Sequence, residues 1–106
     1  MVARGEVWLC TLDPAVGSEI RKTRLCLVVS PDGMNNGLRT MLMAPLTSGG
    51  RPSRFRVPVT FQGKPGLILP DQMRALDKTR LVKRLGRVDD ATLQAVLEVL
   101  GQMFAE

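Results

Sequence analysis

The chain has 106 residues, 44% of them hydrophobic, which suffices for one domain with one small core. There is no histidine, and the two cysteines show no metal-ligand spacing, so a Ser-His-Asp triad or a histidine acid–base pair is excluded and zinc is argued against. The net charge of +5 is uneven: residues 1–88 hold all 15 basic side chains and six acids, and residues 89–106 hold four acids and no base, so the body suits an anionic partner such as nucleic acid.

Glu6 to Leu12, rich in Val, Trp and Thr, predicts a first strand with Trp8, Cys10 and Leu12 on one face and Val7, Leu9 and Thr11 on the other. Asp13-Pro14 ends it. A polar loop holding Gly17, Ser18, Glu19, Arg21 and Lys22 follows, and Arg24 or Leu25 to Ser30 predicts a second strand. Arg24 stands at the junction of loop and strand, where a fixed backbone aims a side chain that still reaches solvent. Pro31-Asp32-Gly33 and Asn35-Asn36-Gly37 read as turns. Thr40 to Leu46 predicts a third strand with Thr47, Ser48, Gly49 and Gly50 at its mouth. Phe55 to Thr60 predicts a fourth, put at an edge by Pro58.

Gly63-Lys64-Pro65-Gly66 reads as a turn into a fifth strand, Leu67 to Leu69, which Pro70 interrupts before the segment to Leu76 resumes it. Leu81 to Leu85 fits a short strand or a helical turn. Asp89 has the character of a helix N-cap, and Leu93, Val96, Leu97, Leu100, Met103 and Phe104 repeat at helical spacing, predicting an amphipathic helix over 90–105. Short strands closed by one packed helix predict a small, partly open β-barrel of SH3 size with helical additions. Cys10 and Cys26 read as buried, reduced hydrophobes, with a disulfide between adjacent strands as the alternative. The apolar run after Arg4 is too short for a signal peptide and no span approaches membrane length, so the expectation is a cytosolic protein with no membrane partner.

The six acids before the helix are scattered and no glycine-rich phosphate loop is present, so metal-dependent nuclease and nucleotide-hydrolase chemistry fit poorly. Arginine, hydroxyls and isolated acids remain. This set suits metal-free work on phosphate, because a guanidinium fork matches phosphate oxygens and a threonine hydroxyl adds a donor. RNA makes the set sufficient, since its own 2′-OH attacks the adjacent phosphate once aligned. Trp8, Phe55, Phe61 and Phe104 are the only aromatics, which disfavours a pure base-stacking module.

Four stretches in this order carry a resemblance: Arg4-Gly5-Glu6-Val7-Trp8; Gly17-Ser18-Glu19 through Thr23-Arg24 to Leu27-Val28-Val29-Ser30; Pro45-Leu46-Thr47-Ser48; and Asp71-Gln72-Met73-Arg74. Together they resemble the MazF/PemK family of toxin endoribonucleases, over nearly the whole chain. The resemblance implies a CcdB/PemK-type SH3-like barrel over residues 1–106, and metal-independent, sequence-selective cutting of single-stranded RNA to 2′,3′-cyclic phosphate and 5′-hydroxyl ends. It implies Arg24 and Thr47 at the scissile phosphate, with Ser48 beside Thr47, and Glu19 as a functional loop acid. Asp71 matches an acid that serves some members as a base, Gln72 shares its stretch, and Arg21 and Lys22 read as a phosphate-attracting pair. No metal or cofactor is implied. A homodimer and an antitoxin of MazE type, whose acidic disordered tail covers the site, are.

The chain departs from the family pattern at Leu25, where proline is usual, at Thr23, where some members use histidine, and at Leu69, where others have arginine. The general base is left open. A non-catalytic toxin on the same fold that poisons DNA gyrase, or a basic RNA-binding domain without catalysis, are the alternatives.

Overall fold

The computed structural model describes residues 1–11 and 23–105. Seven antiparallel strands form one curled sheet: β1 (Glu6–Thr11), β2 (Thr23–Val28), β3 (Thr40–Thr47), β4 (Val57–Phe61), β5 (Lys64–Ile68), β6 (Arg74–Asp77) and β7 (Leu81–Arg87). Their order is β4-β5-β3-β2-β1-β7, with β6 also on β3. Two helices complete the fold, α1 (Asp32–Gly37) and α2 (Asp90–Phe104). Mainly β architecture with helical additions is as the turn-punctuated strand pattern predicts, and β4, which carries Pro58, is an edge strand.

The long strand β3 organises the sheet. One of its sides pairs with β2 (Cys26↔Pro45, Leu27↔Ala44, Val28↔Met43). The other takes β6 along Thr40 to Met43 and β5 at Leu46 and Thr47. Strands β5 and β6 are therefore two parts of one interrupted strand, broken by a 3-10 turn at Pro70–Gln72. Proline lacks the N–H a ladder needs, and here Leu69 N still donates to Pro45 O at 2.9 Å before the chain leaves the ladder.

The curl nearly closes through the β4–β5 hairpin. Its two-residue turn is Gln62-Gly63, both at positive φ (51° and 77°), as a type I′ turn requires. Gln62 Nε2 donates to Leu85 O at 3.3 Å, so the hairpin tip touches β7 at the opposite edge. The turn thus falls earlier than Gly63 to Gly66, and Lys64-Pro65 belong to β5.

Curling also divides the interior, so the single core expected from composition is two clusters. Val7, Leu27, Val29, Ala44, Leu46, Val57, Ile68, Val88 and Val96 form one, beneath α2. Val2, Cys10, Cys26, Val28, Met41, Met43 and Leu76 form the other, with Trp8 and Leu81 against it. Alternation along β1 sends Val7 to the first and Cys10 to the second. Both cysteines are free and buried. A mutual hydrogen bond, with burial, pushes the Cys10 thiol up, and both thiols serve as packing.

Helix α2 begins at Asp89, whose carboxylate accepts from Thr92 N at 2.7 Å. Val96 is its fully buried residue, and Leu93, Ala95, Val99 and Leu100 pack around it, while Phe104 stands exposed. Helix α1 replaces the expected turns at residues 32–37. Its cause is Asn35, buried at 1% exposure, which donates to Ser30 O and accepts from Ser30 Oγ. Of the two readings left open for Leu81 to Leu85, strand is the correct one: Leu81–Arg87 is a strand, preceded by a 3-10 turn at Lys78–Arg80.

Candidate active site

Arg24 is the second residue of β2, half-buried opposite Cys10 of β1. Its Nη2 donates to Leu46 O at 3.4 Å, a long bond, and among the described residues the rest of the guanidinium has no hydrogen-bond partner. Leu46 precedes Thr47, so Arg24 and Thr47 meet where β3 parts from β2 and turns to β5. Thr47 Oγ1 accepts from Gly49 N at 3.4 Å, which leaves its hydroxyl proton available. Ser48 is exposed beside it.

Backbone contact fixes Thr47. A Cβ on Gly66 of β5 would stand 2.2 Å from Thr47 O, so only glycine lets the two strands approach this closely. A cavity of about 420 Å³ opens here, floored by Leu25, Leu46 and Phe61 and rimmed by Thr47, Ser48 and Lys64. Leu25 faces this cavity, so by alternation Arg24 lies on the other face of β2. The cavity and the arginine meet at Thr47.

Arg74 joins Arg24 on that face. The Cys26 thiol is held below its usual range by its hydrogen bond with Cys10, against burial, and by the charges of Arg24 and Arg74 together. Two guanidiniums thus bear on one small region. Arg74 pairs with Met43, and Met43 also pairs with Val28, which sets β6 and β2 on either side of β3.

Asp71 and Gln72 lie exposed on the 3-10 turn between β5 and β6. Asp71 accepts from Arg56 through both oxygens, Nε to Oδ1 at 3.3 Å and Nη2 to Oδ2 at 3.2 Å. The sequence reading missed Arg56. Its one signal was the run of arginines at 51, 54 and 56 directly after the hydroxyl pair; Arg54 stacks on Phe55 at 4.9 Å. Glu19, Arg21 and Lys22 lie outside the described residues. The structure therefore places Arg24 beside the Leu46–Ser48 segment, and holds Asp71 on the next turn through Arg56, which also lies near Gly50 and Thr47.

Two further carboxylates, Glu6 and Asp32, do structural work. Glu6 takes Ala3 N at 2.7 Å, Trp8 Nε1 at 3.2 Å and the Arg84 guanidinium. Burial raises its carboxyl, but these hydrogen bonds outweigh burial and hold it below its ordinary 4.5. Asp32 accepts from Arg4 N at 2.7 Å, while Arg4 Nε donates to Val29 O. Among the described residues, no three Asp, Glu or Cys side chains converge as metal ligands would, and no helix is long and apolar enough to cross a membrane.

This geometry has known counterparts. Residues 3–104 match the model of the PemK-like, MazF-like toxin of type II toxin–antitoxin systems. The chain belongs to that family. Among toxin relatives, the endoribonuclease PemK of Escherichia coli is 40% identical, across 94% of this chain and 77% of its own length. Endoribonuclease EndoA of Bacillus subtilis is 31% identical, across 94% and 91%. The MazE–MazF structure from Deinococcus radiodurans superposes with a TM-score of 0.82 at 28% identity, covering 96% of this chain and 94% of that one. The barrel, its curl and the C-terminal helix are thus those of the toxin fold.

Proposed function

We propose that this toxin cuts single-stranded RNA by directing a 2′-OH onto its own 3′ phosphate, leaving 2′,3′-cyclic phosphate and 5′-hydroxyl ends. That it is an endoribonuclease follows from PemK and EndoA, both named for that activity and both aligned over 94% of the chain. The observation that supports the site assignment is the reach of Arg24 to Leu46 O, one residue before Thr47, where β3 parts from β2.

The residues divide the work as follows. Arg24, whose guanidinium makes one long bond among the described residues, neutralises charge as it gathers on the pentacoordinate phosphate. Arg74, whose charge bears with that of Arg24 on the Cys26 thiol, adds a second positive charge on the same face. The Thr47 hydroxyl donates to a phosphate oxygen. Arginine holds its proton too tightly for an efficient base, so its part is electrostatic. A base flanking the cut fits the cavity beside Thr47, where Lys64 and Ser48 offer polar contacts above an apolar floor. Ser48, Gln72, Arg21 and Lys22 serve as substrate contacts, and Glu19 takes part in catalysis.

The toxin works in the cytoplasm on messenger RNA, as a homodimer. A MazE-like antitoxin covers the cationic site with an acidic tail, as the paired MazE–MazF neighbour suggests. The test is cleavage of single-stranded RNA by antitoxin-free protein in excess EDTA, beside a substrate with one 2′-deoxynucleotide 5′ to the mapped cut. Cutting that persists in EDTA and vanishes with the deoxy substrate is expected. Cutting of the deoxy substrate would overturn the 2′-OH mechanism, and intact RNA throughout would shift the reading to a protein-directed poison.

A further inference from the structure

Arg56 hydrogen-bonds one stretch of the site and packs against a second. Nε and Nη2 take both oxygens of Asp71 side-on. Nη1 lies against Gly50, 3.7 Å from where a Cβ there would stand, and that same point is 3.8 Å from Thr47 Cγ2 and 3.7 Å from Leu67 Cδ1. Gly50 has φ +108°, a conformation that favours glycine, so the loop after Thr47 doubles back at this residue onto the guanidinium. Among the described residues that loop has few other hydrogen bonds: Gly49 N reaches Thr47 Oγ1 at a long 3.4 Å, and Arg56 N reaches Ser53 O at 3.1 Å.

We infer that Arg56 is a positioning residue: it fastens the Asp71 turn to the Thr47–Gly50 loop, and Asp71 is its anchor, not the proton acceptor. For Asp71 to take a proton from a 2′-OH, the fork would have to open. An exposed ion pair contributes little to overall stability, so the consequence of this one is geometric, felt at Thr47. Lysine would not replace it, because one ammonium cannot hold a planar fork and also lie along Gly50.

The inference rests on the endoribonuclease reading, and two readouts separate their failures. The first is kcat and KM on one short RNA for Arg56→Gln, Asp71→Asn and the double variant. Each single change lowers kcat about tenfold through misplacement of Thr47, with KM little altered, and the double variant is no slower than the slower single. Arg56→Lys recovers only part of the loss. The second readout is amide exchange of residues 47–50 in the intact protein, which rises in Arg56→Gln whether or not RNA is cut. Multiplying losses, or a rise in KM alone, would make Arg56 and Asp71 independent substrate contacts and overturn the clamp. Unchanged exchange at residues 47–50 would overturn it too. A wild-type protein that leaves RNA intact would sink the enzyme reading alone, and the clamp would then stand or fall by exchange.

Discussion

Two of the stretches that resemble the family do opposite work. In Arg4 to Trp8 nearly every polar group is consumed: Arg4 N and Nε go to Asp32 and Val29, Gly5 N to Val28 O, Gly5 O to Val88 N, and Glu6 to Ala3, Trp8 and Arg84. In Arg24 and Pro45 to Ser48 the backbone is fixed as firmly, yet the side chains are left with unused donors. A satisfied polar group stabilises the fold, and an unsatisfied one beside a cavity is reserved for something that arrives. The two stretches are equally recognisable as sequence, and only their hydrogen bonds tell architecture from chemistry.

Changes on either side of this contrast should separate stability from activity. The largest effect is expected where the two meet, at Gly66. Gly66→Ala puts a methyl 2.2 Å from Thr47 O, and parting β3 from β5 should cost about 3 kcal/mol. Cleavage should fall with it, as measured by urea unfolding beside initial rates. Thr47→Val keeps shape and removes the donor, so the rate should drop about tenfold to a hundredfold with the unfolding midpoint nearly unchanged.

On the architectural side the order reverses. Glu6→Gln removes the charge from three hydrogen bonds at a largely buried site, and should cost about 1.5–3 kcal/mol at pH 7 without a specific loss of rate. The pH dependence has the same origin. The Glu6 carboxyl is lowered in the folded state from its ordinary 4.5, so its contribution is fully present above that value and is lost as pH falls through the folded pKa. Denaturant midpoints between pH 7 and pH 3 should show this loss, and Glu6→Gln should flatten it. The smallest effect is expected for Asp89→Ala. It frees Thr92 N at the start of α2, so Tm should decrease slightly and cleavage should not change.

The strands and the closing helix were legible because their signals are local: β-branched runs, Pro58 at an edge, Pro70 as a break, and apolar residues at helical spacing after Asp89. Helix α1 was not, because Asp32-Gly33 and Asn35-Asn36-Gly37 have the composition of turns, and a buried Asn35 tied to Ser30 decides otherwise. The hairpin turn was misplaced because Gln62 accepts a positive φ that favours Asn or Gly, while its amide spans to Leu85. Two clusters replaced one core because curl is a property of the whole sheet. At the site, Arg24 and Thr47 were singled out by the family resemblance, and the sequence pattern already put both at strand ends, where the structure has them. Arg56 was not, because its partner Asp71 is fifteen residues away and brought near by the pairing of β4 with β5, Val57 opposite Ile68.

The central claim is that Arg24 is placed by the fold but not needed by it. The measurement is the RNA cleavage rate of Arg24→Ala set beside its unfolding free energy. The account predicts a rate lower by about a hundredfold to a thousandfold and a stability within about 0.5 kcal/mol of wild type. Full cleavage by Arg24→Ala, or a loss that follows unfolding of the variant, would contradict it.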